Sequence, residues 1–343
     1  MARSQNLKPI LIVWTDFGKQ IANCFPGKMK TPAQSMPASQ QGVAVILLFT
    51  ILFMAGASLF ISFASNNVLA VRNADQSGDA LREAKAALIA YALMHGDQFG
   101  AAGAGPGHLP CPDTNNDTVE DAPCGNNAIG RLPQSVTVPL PLPGTTIQFS
   151  DYNYGVDQQL WYGLTNAARR SPSVAFNTST ATTHTLDGQA VAAVLIAPGP
   201  VLGSQSRPSN NRVNYLEGGN AAGNAFVSSD GSGPENFNDR TLGISMSEIM
   251  TPVTARIAET IKGLLDTYHG VNGQYPPDNA EFAIAVATAP AWFAANNWND
   301  TAAVTTYTQL GADSASLSFT GCAGLSYTLD NAAGSIVRTG TRC

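Results

Sequence analysis

The stretch Asp113-Thr114-Asn115-Asn116-Asp117, followed by Glu120 and Asp121, sets carboxylate and amide oxygens at alternate positions. In calcium loops that alternation points successive oxygens at one centre. Asp113, Asn115 and Asp117 are therefore candidate ligands for a calcium ion. The sixth position is Thr118 where a calcium loop has Gly, and the twelfth is Cys124 where it has Glu, so this is not an EF-hand. The alternative is a polar loop of Asx turns whose carboxylates face water. Cysteines bracket the stretch at Cys111 and Cys124, a second pair stands at Cys322 and Cys343, and Cys24 lies alone near the N-terminus. Four cysteines in an oxidising compartment allow three disulfide connectivities. Sequential pairing is expected because each pair then closes a short loop. Zinc is the competing use, but Cys111 and Cys124 lack the short C-x-x-C spacing of zinc sites.

Other chemistry finds little to work with. His95, His108, His184 and His269 sit in unrelated contexts, each near a helix end or loop, and are expected to be surface or capping residues. No H-E-x-x-H or G-x-S-x-G accompanies them. The glycines between 100 and 107 have no Lys-Ser/Thr behind them, so they read as a break and not as a phosphate cradle. Trp292, Phe293 and Trp298 suit a core role better than an exposed contact surface. An enzyme is not expected.

The elements that must position these residues begin with an apolar run. No charged residue occurs from Thr31 to Val71, and Val43 to Ala64 is almost wholly apolar or small. A helix rises ~1.5 Å per residue, so about 20 such residues are expected to cross a membrane. Arg3, Lys8, Lys19, Lys28 and Lys30 precede the run against Asp16 alone, which places the N-terminus in the cytoplasm and the bulk of the chain outside. The whole chain carries 18 basic and 24 acidic residues. Without residues 1–42 the balance is 13 against 23, a net charge of −10, and nucleic acid is not an expected partner.

Asp79 to Leu93 is dense in helix formers, with Leu81, Ala84, Leu88, Tyr91 and Ala92 on one stripe. Helix is expected from Val43 to about His95, with Gly56 and Gly78 as weak points where it can bend or fray. Ala190 to Ala197 is an apolar run of strand length, expected to be a buried central strand. Residues 203–239, rich in Ser, Asn and Gly, read as a long surface excursion. A second helix is expected after Ser245 or Ser247, with Ile249, Val253, Ile257, Ile261, Leu264, Leu265 and Tyr268 on its apolar face. Leu325–Leu329 and Gly334–Arg338 follow as a hairpin. Helix, tyrosine, glycine break, hydrophobic-Pro, strands and disulfide thus occur twice along the chain.

A basic polar leader ending Gln40-Gln41-Gly42, with the apolar helix starting at Val43, resembles type IV pilins and type II secretion pseudopilins. The order LREAKAALIAYAL, LPCPDTNND, Cys124, Gly130-Arg131-Leu132-Pro133 and Leu160-Trp161-Tyr162 is similar to prepilin-type proteins related to the minor pseudopilins. The resemblance implies cleavage between Gly42 and Val43 by a prepilin peptidase and methylation of the new N-terminus. It implies other pilin or pseudopilin subunits and the inner membrane as partners. The head is then periplasmic before assembly and part of a pilus or pseudopilus after it. Related pseudopilin heads bind calcium, which bears on Asp113, Asn115 and Asp117. Where most of the family has Glu at the fifth mature position this chain has Leu47, which points to a minor or tip subunit. The implied fold is α+β: a long N-terminal transmembrane helix running into a pilin-like head with an antiparallel sheet, in two tandem units. The expected divisions are a leader (1–42), a membrane and stalk helix (43–99), a first head unit (100–240) and a second (241–343). The rival reading is an uncut, membrane-anchored periplasmic binding or adhesion protein.

Overall fold

The structure, a computed structural model, describes residues 48–54, 75–94, 105–125, 128–138, 145–148, 159–170, 175–229, 231–233 and 235–343. The chain divides into a unit comprising Met1–Asn67 and a second comprising Val68–Cys343. In the first unit the described residues form one helical segment, α1 (48–54). Its Leu48, Phe49, Ile51, Leu52, Phe53 and Met54 are all exposed.

The second unit opens with α2 (75–94). Its stripe of Leu81, Ala84, Leu88, Tyr91 and Ala92 is buried as the spacing requires, while Arg82 and Glu83 face solvent. Four strands form the sheet associated with it: β1 (Ile129–Arg131), β4 (Trp161–Leu164), β7 (Ala193–Ala197) and β9 (Arg240–Ile244), antiparallel throughout in the order β1-β4-β7-β9. Side chains alternate across a strand. Tyr162, Leu164, Ala193 and Leu195 accordingly join the main core with α2, and Trp161, Val194 and Ile196 enter a second core on the other face. Of the run Ala190–Ala197, expected to be one buried strand, Ala193–Ala197 forms β7 and is covered on both faces, whereas Ala190 is exposed and lies with Val191 in a separate short strand, Gln189–Val191.

What covers the second face is the stretch expected to be a surface excursion. Between β7 and β9 the chain forms a 3-10 turn at Arg212–Asn214, a short helix α3 (Gly218–Ala222) and β8 (Ala225–Phe226). Tyr215, Leu216 and Phe226 are buried there against Trp161, Val191, Val194 and Ile196. The expectation is corrected: three large apolar side chains in a polar stretch suffice to seal a sheet face that water would otherwise wet. The small strands β5 (His184–Leu186) and β6 (Gln189–Val191) pair with each other, and β5 also pairs with β8. The hairpin β2 (Ser135–Val138) and β3 (Thr145–Gln148) stands apart as its own two-stranded sheet.

Helix α4 (Met246–Asn272) starts where the hydroxyl and acid require it. Ser245 Oγ accepts from Glu248 N, and the Glu248 carboxylate accepts from Ser245 N, a reciprocal capping box. Gly273, in the left-handed region at φ 73°, ends it. Ile249, Val253, Ile257, Ile261 and Leu265 are buried, each worth about 2 kcal/mol of transfer free energy as an upper figure. The helices α5 (Asn279–Ala285) and α6 (Ala291–Ala295) follow and bury Phe282, Trp292 and Phe293. A meander of β10 (Thr305–Gly311), β11 (Ser314–Phe319), β12 (Ser326–Asp330) and β13 (Ser335–Thr339) completes the unit. Ala315, Leu317, Phe319, Tyr327 and Leu329 line its inner face, and Thr254 and Tyr327 join α4 to it through a 3.0 Å hydroxyl contact.

Helix followed by a four-stranded antiparallel sheet occurs twice, but the two share a single core running from Leu81 on α2 to Leu329 on β12. Lys85 of α2 ties the two helices together, pairing with Glu248 of α4 at 2.5 Å and donating to Gly243 O at 2.8 Å. Strand β9 spans the boundary expected at 240/241.

The expected fold class needs correction. The fold is α+β with antiparallel sheets, but the long transmembrane helix is not found: among the described residues no helix is long and apolar enough to cross a membrane. Helix α2 is long but is a core helix, with acidic and basic groups along its outer face and its apolar stripe under a sheet.

Candidate functional site

Gly42, Val43, Leu47 and Cys24 lie outside the described residues. Of the remaining candidates, those between Cys111 and Cys124 lie beside β1, and Cys322 and Cys343 lie elsewhere. The disulfide Cys111–Cys124 closes the acidic loop, and Cys322–Cys343 ties the C-terminus beside α4, where Cys343 N donates to Thr251 Oγ1 at 2.9 Å. Both are the sequential pairings.

Inside the first loop the oxygens of the D-x-N-x-D stretch are turned to the backbone. Asp113 Oδ1 and Oδ2 accept from Asn116 N (2.6 Å) and Thr118 N (2.9 Å). Asn115 Oδ1 accepts from Asp117 N, and Asp117 Oδ1 from Val119 N. Asp121 Oδ2 accepts from Thr114 N at 2.7 Å, and Asp121 Oδ1 from Asn115 Nδ2 at 2.9 Å. This is a nest of Asx turns. Glu120 points the other way, buried, with Arg170 as its ion-pair partner and Cys111 N donating to it at 3.2 Å. Asp113, Asn115 and Asp117 thus share one loop, where Asn115 Nδ2 also donates to Asp117 Oδ2 at 3.1 Å. Among the described residues no group of three or more His, Cys, Asp or Glu side chains is placed to hold a metal ion.

The loop's second role is to carry the strand beside it. Asp113 and Arg131 bridge through their backbones, Asp113 N to Arg131 O at 2.9 Å and Arg131 N to Asp113 O at 2.7 Å. Arg131 is paired in register with Trp161 on β4, so both side chains rise from the same face of the sheet. The guanidinium lies 5.5 Å from the Trp161 ring centroid and 5.3 Å from that of Tyr215, which arrives from the segment that seals this face. Arg131 Nη2 donates to Ser209 O (2.7 Å) and Tyr215 Oη (3.3 Å). Arg207 covers the Tyr215 ring at 4.6 Å and donates to Gly199 O, Asn214 O and Tyr215 O. Guanidinium groups stacked on aromatic faces are attracted by the ring quadrupole and remain charged. A cavity of about 190 Å³ opens at this stack.

Sequence reasoning used Gly130-Arg131-Leu132-Pro133 and Leu160-Trp161-Tyr162 only as markers of resemblance and missed that they meet. An arginine and a tryptophan each flanked by strand-forming residues are a signal for a cross-strand pair, but Tyr215 had none. The histidines also need correction. His108 and His184 are fully buried, His108 against Phe176 and His184 edge-on to Phe226. Burial pushes the His184 pKa below its ordinary value. His269, at the end of α4, reaches Asp313 at 2.7 Å, and His95 lies outside the described residues.

Beneath the covering segment lies a buried carboxyl pair that no motif announces. Glu217 Oε2 accepts from Asn238 N and Asp239 N, and its Oε1 from Gln205 Nε2. Asp239 Oδ2 accepts from Glu217 N and Asn220 Nδ2, both at 3.0 Å, while Oδ1 is buried with no hydrogen-bond partner among the described residues. Burial, reinforced by the Glu217 charge, pushes the Asp239 pKa up to about 8. An unfolded Asp loses its proton near pH 4, whereas this one keeps it until about pH 8 in the folded chain. The unfolded state therefore binds fewer protons across that window, and this group's contribution to stability declines as pH rises through it. Asp239→Asn supplies the neutral form permanently. It is expected to stabilise the chain at pH 8 by up to about 5 kcal/mol, with the gain shrinking toward pH 4. Urea unfolding of both proteins at several pH values measures this, and parallel pH profiles would refute it.

Comparison with family models, with characterised proteins and with solved structures finds no match to this chain.

Proposed function

We propose that this protein is a minor, tip-type subunit of a type IV pilus or type II secretion pseudopilus, a structural protein and not an enzyme. The observation that carries the reading is the junction at Gly42-Val43, a basic leader meeting an apolar run with no charge before Arg72. Support comes from α1, within that run, whose six large apolar side chains all stand exposed. Apolar surface of that density is stabilised only by a covering partner. In the proposed role neighbouring subunits supply the cover, and the second unit is presented as the head. Leu47 in place of an acid suits a subunit that joins at a special position and does not repeat along the fibre.

The mature N-terminus tests this directly. Mass spectrometry of the chain produced beside a prepilin peptidase is expected to give N-methylated Val43, and Gly42→Ala is expected to leave the leader attached. A mature chain that begins at Met1, or one cut near Ala64-Ser65, would sink the proposal.

A further inference from the structure

The cavity beside β1 contains a charge with which no described carboxylate forms an ion pair. Arg131 is only 7% exposed, yet among the described residues no carboxylate forms an ion pair with it. Its Nη2 is spent on Ser209 O and Tyr215 Oη, leaving Nη1 and Nε without a protein partner among the described residues. The acid in the lining, Asp113, accepts from Asn116 N and Thr118 N and forms no ion pair with Arg131. Stacking on Trp161 and Tyr215 offsets part of the desolvation of a guanidinium but does not replace a counter-ion.

The rim adds uncommitted polar groups. The Asn116 side-chain amide makes no protein hydrogen bond among the described residues, Asn211 uses only its Oδ1, on Val213 N, and Arg212 uses only Nη2, on Ala222 O at 3.4 Å. Two guanidinium groups and two amides therefore border a cavity of about 190 Å³, smaller than the ~300 Å³ at which drug-sized sites begin. An arginine fork matches a carboxylate in geometry and charge. Amide groups that can both donate and accept match hydroxyls.

We propose that this cavity binds an acidic sugar of monosaccharide size, a uronate, with its carboxylate on Arg131 and Arg212 and its hydroxyls on Asn116 and Asn211. The chain's net negative charge makes attraction short-ranged, since beyond a Debye length of ~8 Å at physiological salt the surrounding acids are screened along with the arginines. Recognition then depends on these contacts and not on the overall field. The site does not depend on fibre assembly, because every residue in it belongs to the second unit.

The test is a titration of the full-length chain in detergent with galacturonate, galactose and N-acetylglycine, read by tryptophan fluorescence and calorimetry. Galacturonate is expected to bind with a dissociation constant on the order of 1 mM, and galactose and N-acetylglycine at least about tenfold more weakly. Arg212→Gln, at the rim, is expected to weaken galacturonate about fivefold or more with the melting temperature unchanged. This rim variant reports on the same carboxylate as Arg131→Gln would, and it leaves the buried stack filled. Galactose binding equal to galacturonate, unchanged binding by Arg212→Gln, or no saturable signal up to about 20 mM overturns the proposal. So does equal binding of N-acetylglycine, which would assign the cavity to a peptide C-terminus. The same result is expected whether or not the chain is cut at Gly42, so failure here and failure of the fibre reading are separate outcomes.

Discussion

Gly130→Ala is expected to cost about 3 kcal/mol of stability and to disorganise the Arg131 stack. A Cβ at this position would lie 2.3 Å from the Asp113 carbonyl oxygen and 2.7 Å from its carbon. Both are backbone atoms, so no rotamer change relieves the contact. The backbone cannot step aside cheaply, because Asp113 and Arg131 exchange two hydrogen bonds across the same point. Separating the strands to admit the methyl would break them and move Arg131 away from Trp161. Urea unfolding measures the loss, and near-ultraviolet circular dichroism should show the tryptophan environment altered. Gly125→Ala is the control, since among the described residues a Cβ there meets nothing within 4 Å, and its effect is expected to stay within about 0.5 kcal/mol. Equal stability of the two variants would show that the loop does not press on β1.

The second large effect is that of the Cys111–Cys124 disulfide. It closes a loop of sequence separation 13, for which the entropy removed from the unfolded chain corresponds to about 3 kcal/mol. The double variant Cys111→Ala, Cys124→Ala is expected to lose that much. Because Arg169 Nη1 donates to Cys124 O at 2.7 Å and the Asp113–Arg131 bridge sits inside the same loop, galacturonate binding should fall with it. An unchanged denaturation midpoint would mean that the loop is held without the bond, by the Asx turns and the bridge. The losses expected here and in Gly130→Ala share a cause. The acidic loop matters as a clamp on β1, a use of Asp113 that its spacing with Asn115 and Asp117 does not suggest.

That difference illustrates how far residues alone can be read. Asp113, Asn115 and Asp117 have the spacing for a common centre, and Asx side chains also have a local partner in the backbone N–H two or three residues on, which each of the three takes here. The apolar run beyond Val43 has the length for a membrane helix, but among the described residues no helix is long and apolar enough to cross a membrane. Residues 203–239 look like loop by composition, and composition averages away the few positions, Tyr215, Leu216 and Phe226, that decide burial.

The sequence by itself determined what depends on near neighbours or on simple periodicity. A serine cap for α4 at Ser245 or Ser247, the apolar stripes of α2 and α4, the unbroken burial of β7 and the sequential disulfides all follow from spacings of a few to about twenty residues. Only the tertiary structure decided the stack of Arg131, Trp161 and Tyr215, the carboxyl pair of Glu217 and Asp239, and the single core shared by the two helix-and-sheet halves. Each joins segments through strand register and the packing of one sheet face. Such pairings are selected by the burial of the whole sheet, a sum over many distant residues that no local pattern records.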